Sequence, residues 1–309
     1  HQAPVGAVVA AAGGRVLLNR MRARLLLMAL CSVGMAMPAQ AQDAGGVAFD
    51  AAPGVPVRAR VRDDGGVEVR IGKDAALQQL DGVADEEGRS RLDHEDVDFD
   101  GLQDLVVRAS VGQVNEAVAV YRYDARTARL QPLAAPSGTP ANCDGLWSLR
   151  VDAPTRTLVS TCRGGPMWYT DFYRYQGEKL YLYRAEQLLM LDTQALAAVL
   201  AVDKAGADAG PLAVWTTYDA AGRALEHAIG DGLAPPASGV PLRGVDARVV
   251  PARLALYRAV GDADTRRYLV AGDRVELLDA RDGWLQVRYR NPTRGPVIGW
   301  VQVALPEQG

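Results

Sequence analysis

The chain has 309 residues, enough for two domains at roughly 100–200 residues each. Hydrophobic residues make up 49% and charged residues 23%, which excludes a disordered or collagen-like chain. The formal charge of −3 and the pI near 5.7 argue against nucleic-acid binding, and three histidines (His1, His94, His227) leave little for imidazole-rich zinc sites or proton relays.

In chain order, Met21 is the first methionine. Met21-Arg22-Ala23-Arg24, the apolar run Leu25–Ala36 and Ala39-Gln40-Ala41 follow the basic, apolar and small-x-small order of a secretory signal peptide cleaved after Ala41. Residues 1–41 are therefore read as upstream sequence plus that signal. A bilayer span needs about 20 apolar residues, so no transmembrane segment is expected after cleavage. Lipidation at Cys31 is a rival reading, but Leu30 stands before it where a small residue is expected. Cleavage removes four arginines and no acid, leaving 30 basic and 37 acidic side chains, a charge of −7. Cys143 and Cys162 remain, and in an exported protein they are expected to form a disulfide; two buried thiols are the alternative.

Residues 42–56, rich in Ala, Gly and Pro, read as a mobile leader. Short β-type segments then recur: Val57–Val61, Val67–Ile71, Asp104–Ala109, Ala117–Tyr123, Leu146–Val151, Thr157–Cys162, Thr170–Tyr175 and Leu180–Arg184. Residues 42–230 are accordingly read as one antiparallel all-β domain, a sandwich or barrel. Tyr121-Arg122-Tyr123 leads through a turn to Arg129-Leu130, and Tyr173-Arg174-Tyr175 through a turn to Tyr181; Tyr218–Arg223 resembles the first turn. Tyr-x-Tyr spacing puts both rings on one strand face, so Tyr173 and Tyr175 are expected to meet Tyr181 and Tyr183 across a hairpin. Thr193–Lys204 reads equally as helix or buried strand, and 231–248, with Pro235, Pro236 and Pro241, as a linker.

The last segment, 249–309, reads as a small β unit with strands Leu254–Tyr257, Tyr268–Ala271, Arg274–Leu278, Trp284–Arg290 and Val297–Val303. Gly272-Asp273, Gly283-Trp284 and Gly299-Trp300 make it resemble a bacterial SH3 domain. The glycines are expected at tight turns and the tryptophans in the core of a small barrel.

Asp96-Val97-Asp98-Phe99-Asp100-Gly101-Leu102-Gln103-Asp104 is the most informative string. Carboxylates stand at positions 1, 3, 5 and 9, glycine at 6, and the Leu102 carbonyl at 7. That is the spacing by which a turning backbone aims oxygens at a hard cation such as Ca²⁺. Position 12 is Val107 rather than Glu, and Leu105-Val106-Val107 reads as a strand, so the loop precedes a strand instead of joining two helices. Asp96, Asp98, Asp100, Leu102 and Asp104 are the expected ligands of a structural Ca²⁺; an acidic solvated turn is the alternative, and His94 reads as a solvated neighbour.

Together with that loop, the Tyr121–Tyr123 hairpin, Ser160-Thr161-Cys162-Arg163-Gly164-Gly165-Pro166-Met167-Trp168-Tyr169 and the aromatic hairpin Asp171–Tyr183 resemble periplasmic lysozyme inhibitors of the I type. That group includes immunity proteins against peptidoglycan-degrading effectors of bacterial type IV killing systems. The resemblance covers Asp93 to Glu186, roughly a third of the chain. It implies a periplasmic β domain with bound calcium whose loops plug a lysozyme-type cleft. The corresponding loops here are Ser110–Glu116 and Arg163–Thr170, with Arg163, Gly164, Gly165, Trp168 and Tyr169 as inhibitory residues. Arg163 could pair with the carboxylates of a glycosidase, and Trp168 and Tyr169 are hot-spot residue types; local packing of both rings is the alternative. The implied partner is a peptidoglycan hydrolase effector. A second reading is a cell-wall-binding or scaffold protein that holds peptidoglycan through the SH3-like segment. No Ser or Cys nucleophile motif is present, so enzymatic activity is not expected.

Overall fold

The computed structural model describes residues 45–73, 77–203 and 211–303. The signal-peptide reading lies outside the described residues, as do 42–44 of the leader. Among the described residues the protein is nearly all-β, and every strand pair is antiparallel.

Strands β1 (Gly46–Ala52), β2 (Val55–Val61), β3 (Val67–Ile71) and β4 (Gln78–Leu80) pair in chain order as one sheet. Alternation builds it: Val57, Ala59, Val67, Val69 and Ile71 are buried, while Arg58, Arg60 and Arg70 face solvent. Strand β1 corrects the reading of 42–56 as a mobile leader. Phe49 and Ala51 are buried, and β1 pairs with β2 from Gly46↔Arg60 onward. Its small side chains leave little alternation to read, and backbone pairing holds the strand instead.

A second sheet holds β5 (Arg91–Glu95), β6 (Asp104–Val111), β7 (Asn115–Asp124) and β8 (Arg129–Leu133), again in chain order. The third starts from β9 (Arg150–Asp152), β10 (Thr157–Gly164), β11 (Met167–Gln176) and β12 (Lys179–Leu188). Helix α1 (Thr193–Val199) and β13 (Leu200–Val202) follow. Strands β14 (Leu212–Tyr218) and β15 (Ala224–Asp231) then extend the third sheet beyond β12, in the order β15-β14-β12-β11-β10-β9. The second sheet is the middle layer. Leu105, Val107, Tyr121 and Tyr123 pack on the first sheet, while Val106 and Val120 pack on Leu158, Tyr173, Leu180 and Leu182 of the third. Strand β6 is buried on both faces, which is why its sequence is a continuous apolar run rather than an alternation.

The ambiguous segment around residue 200 contains both elements. Asp192 caps α1, its carboxylate accepting Gln194 N at 2.8 Å and Ala195 N at 3.0 Å, and the chain straightens at Leu200 into β13. The tyrosine expectation is corrected. Tyr173 pairs with Leu182, Tyr175 with Leu180 and Arg174 with Tyr181, so the two tyrosine pairs occupy opposite faces of the hairpin. A bulge follows at Phe172/Tyr173, and the Arg174 guanidinium lies 3.8 Å from the Tyr183 ring centroid.

The C-terminal part forms β16 (Asp246–Val249), β17 (Arg253–Ala255), β18 (Tyr268–Val270), β19 (Arg274–Arg281), β20 (Trp284–Asn291) and β21 (Gly295–Gln302). One sheet runs β13-β16-β19-β20-β21, and β17 pairs with β18. Its core joins Leu254, Leu269, Leu277, Leu285 and Val301 to Leu196, Leu200, Leu212, Val214 and Ile229, so this sheet shares a core with the chain before residue 231. The segment read as a linker is pinned. Val245 N bonds to Ile229 O at 2.8 Å, and Ala247 and Val249 are buried within β16, too short an alternation to stand out. Gly299 lies inside β21 rather than at a turn. A Cβ there would sit 2.7 Å from the Leu256 side chain and from Tyr257 O, where Tyr257 and Trp300 exchange backbone hydrogen bonds. Among the described residues no helix is long and apolar enough to cross a membrane.

Candidate functional site

The acidic loop turns between β5 and β6. Asp96 folds it by accepting Asp100 N at 3.1 Å and Gly101 N at 3.0 Å, and Asp100 accepts Leu102 N at 2.7 Å. Gly101, at φ +90°, takes the left-handed bend that a side chain would strain. Asp104 is buried and ties the loop to the sheet, accepting Val97 N at 2.9 Å and Tyr123 N at 2.8 Å. Val97 is fully buried, Phe99 meets Tyr175 edge-on at 6.3 Å, and Leu102 packs into the first core.

Asp96, Asp98 and Asp104 each offer an oxygen within 4.8 Å of the others. Asp98 Oδ1 is buried and has no hydrogen-bond partner among the described residues, and Asp98 Oδ2 lies 3.4 Å from Arg122 Nη1. Burial pushes the Asp104 carboxyl up to about 7, against the two backbone amides that lower it; burial and then the Asp100 charge raise Asp98. Two gathered oxygens about 2.4 Å from a shared ion can stand no more than about 4.8 Å apart, so these three carboxylates fit a hard divalent cation and could hold one. Asp100 lies outside this three-residue cluster, with one oxygen spent on Leu102 N. His94 differs from a solvated neighbour: it stacks on Phe49 at 4.7 Å, and its Nδ1 lies 2.9 Å from Gln103 Oε1.

The two candidate loops are the tips of the β6–β7 and β10–β11 hairpins, at the other end of the strands. β6 separates the acidic loop from the first tip by roughly 23 Å at about 3.3 Å per residue. Cys143 and Cys162 form a disulfide, Cα–Cα 5.9 Å, directly behind Arg163. Buried Asp171, on β11 opposite Ser160, accepts Cys143 N at 2.8 Å, Asn142 N at 3.1 Å and Asn142 Nδ2 at 3.2 Å. The segment that carries Cys143 is thereby held against the sheet.

Beyond the bridge, Arg163 pairs with Trp168 and Gly164 with Met167 around a two-residue turn, Gly165-Pro166. Gly165 supplies φ +59° at the first turn position, which a tight hairpin needs. Arg163 Nε donates to Gly165 O at 3.0 Å, and its guanidinium lies 5.7 Å from the Trp168 ring centroid. Trp168 is 37% exposed; Tyr169 is half-buried. The neighbouring tip exposes Val111 (38%) and Val114 (44%). Asn115 joins the tips: its Oδ1 accepts Arg163 N at 2.9 Å and its Nδ2 donates to Arg163 O at 3.2 Å. Glu116 is held by Arg108 at 2.9 Å and Arg91 at 3.3 Å.

Sequence reasoning missed the anchoring role of Asp171, whose signal was a lone acid inside an aromatic strand. It also missed Glu186, a buried carboxyl on β12 between Thr170 and Trp215, and the bond from Asn115 to Arg163. No protein-family profile, no curated protein and no solved structure matches this chain.

Proposed function

We propose that the chain is a periplasmic immunity protein that binds a peptidoglycan-degrading, lysozyme-like effector and blocks its active-site cleft. The observation that supports this reading most is the exposed β10–β11 tip, where Arg163 lies over Trp168 immediately beyond a disulfide. A partly exposed aromatic with a guanidinium beside it suits a concave site lined by carboxylates: the ring fills apolar volume and the cation pairs with acid. The crosslink lowers the ordering cost of binding. The protein contributes no chemistry of its own in this reading; it obstructs. A structural Ca²⁺ held by Asp96, Asp98 and Asp104 would neutralise the clustered charge and fix the far end of the same sheets.

The test is titration of the purified full chain into peptidoglycan hydrolases encoded beside it. Stoichiometric loss of muralytic activity and co-elution with one of them are expected. Absence of inhibition and of co-elution across that set overturns the reading.

A second reading, cell-wall binding through the C-terminal sheets, is favoured by aromatic surface there. Tyr257 meets Trp284 edge-on at 5.0 Å, and Arg253 lies 4.0 Å from the ring centroid of half-exposed Tyr268. Co-sedimentation of the full chain with purified sacculi tests it.

A further inference from the structure

The β6–β7 and β10–β11 tips come from hairpins 48 residues apart in sequence, and one side chain bonds them. Asn115 opens β7 and sits opposite Val111. Its carboxamide meets the main chain of residue 163 with both functions, as a strand partner would, at 2.9 and 3.2 Å. The carboxamide of Asn or Gln presents an acceptor and a donor side by side on one planar group, as a peptide unit does, and Asn is the shorter.

We propose that Asn115 is a positioning residue that fuses the two tips into one rigid docking surface, presenting Val111 and Val114 beside Arg163 and Trp168. This rests on the inhibitor reading and names the surface by which it acts. The Cys143–Cys162 bridge fixes the root of the second tip, and the pairs Arg163↔Trp168 and Gly164↔Met167 hold its strands to each other, but neither provides a tie to the first tip. The Asn115 carboxamide supplies it, and binding then costs less loop ordering. The surface combines the exposed apolar side chains of Val111, Val114 and Trp168 with the Arg163 cation, so the occupant that complements it is a protein cleft lined by carboxylates.

The clamp uses the backbone of residue 163, not its side chain, and this separates positioning from contact. Arg163→Ala keeps both bonds and removes the cation; Asn115→Ala keeps the cation and removes both bonds. Amide hydrogen exchange of the full chain reads the clamp with no partner present. Asn115→Ala is expected to speed exchange at the Arg163 amide by about tenfold or more, and Arg163→Ala to leave the amide of residue 163 protected. Both variants are expected to weaken hydrolase inhibition by about tenfold, with melting temperatures close to wild type. Unchanged tip exchange in Asn115→Ala overturns the clamp and leaves the inhibitor reading standing. Faster exchange with full inhibition overturns the positioning role. A wild-type chain that inhibits no hydrolase sinks the inhibitor reading, and the docking role of Asn115 with it.

Discussion

Asp171 Oδ2 accepts the Cys143 amide at 2.8 Å, so a buried carboxylate on β11 holds one end of the disulfide whose other end lies on the adjacent strand β10. Crosslink and carboxylate restrain the same segment. Removing the carboxylate leaves the Asn142 and Cys143 amides unpaired, at about 1–3 kcal/mol for each that stays dry. Asp171→Ala is expected to lower the urea midpoint. Replacing both cysteines by serine is expected to cost about 3 kcal/mol for a loop of this length. The two changes touch one segment, so their combined effect should depart from the sum. Additive effects would show that the carboxylate and the bridge act independently.

Chelation should destabilise the protein if the acidic loop holds calcium. At free Ca²⁺ about 100-fold above its dissociation constant, linkage supplies about 2.7 kcal/mol. EDTA is expected to lower the melting temperature and excess Ca²⁺ to restore it. Asp98→Asn, at the carboxylate with the orphaned oxygen, should abolish that response; Asp100→Asn, outside the cluster, should weaken it less. A melting temperature indifferent to both EDTA and Ca²⁺ refutes the site.

Glu186 predicts a pH dependence of definite sign. Burial pushes its carboxyl up to about 7 from an ordinary value of 4.5; a Thr170 hydrogen bond opposes this and the Asp231 charge reinforces it, while Oε1 has no partner among the described residues. The folded state therefore keeps a proton that the unfolded state releases near 4.5. Its stability contribution is fully present below that pH and is lost as pH rises through about 7. Glu186→Gln carries no such proton. Its stability relative to wild type is expected to be flat in acid and to improve steadily up to about pH 7, read by urea melts at several pH values. A difference that does not change with pH contradicts the assignment.

Trp168→Ala tests the tip as an energetic centre. An exposed ring removed from a hairpin end should barely move the melting temperature. A hot-spot aromatic costs about 2 kcal/mol or more in binding, roughly thirtyfold. Inhibition of the cognate hydrolase should weaken by that order, and equal potency of variant and wild type would remove Trp168 from the interface.

How much of this was legible depended on side-chain contrast. Val57–Val61 and Val67–Ile71 alternate strongly and became strands, and the Leu105–Val107 run became the strand buried on both faces. Gly46–Ala52 and Arg91–Glu95 were not legible: the first is mostly small side chains with little contrast, the second is polar at four of five positions, and backbone pairing makes both into strands. Of the carboxylates spaced for a cation, Asp96, Asp98 and Asp104 converge while Asp100 stands outside, and Asp96, Asp100 and Asp104 all accept backbone amides, because a loop this tight needs local hydrogen bonds that spacing alone does not reveal. The tyrosine faces were misread because the two-residue turn between Gln176 and Lys179 sets a register that puts Leu180 opposite Tyr175 and Tyr181 opposite Arg174, which alternation within each strand cannot foresee. The joining of the tips was out of reach, since it pairs a side chain with a main chain 48 residues away.

The acidic loop and the hairpin tips lie at opposite ends of β6, with the fully buried stretch of that strand between them. Tip residues 113–114 and 166–168 contribute nothing to either inner core of the stacked sheets. Selection can therefore rewrite them, lengthening a turn or swapping an aromatic, without disturbing what folds the chain. A combinatorial library varied at those turns, with Asn115 and the cysteines kept, should yield well-folded members in quantity. Retargeting to a new adversary would then require changes to a few turn residues and leave the scaffold intact.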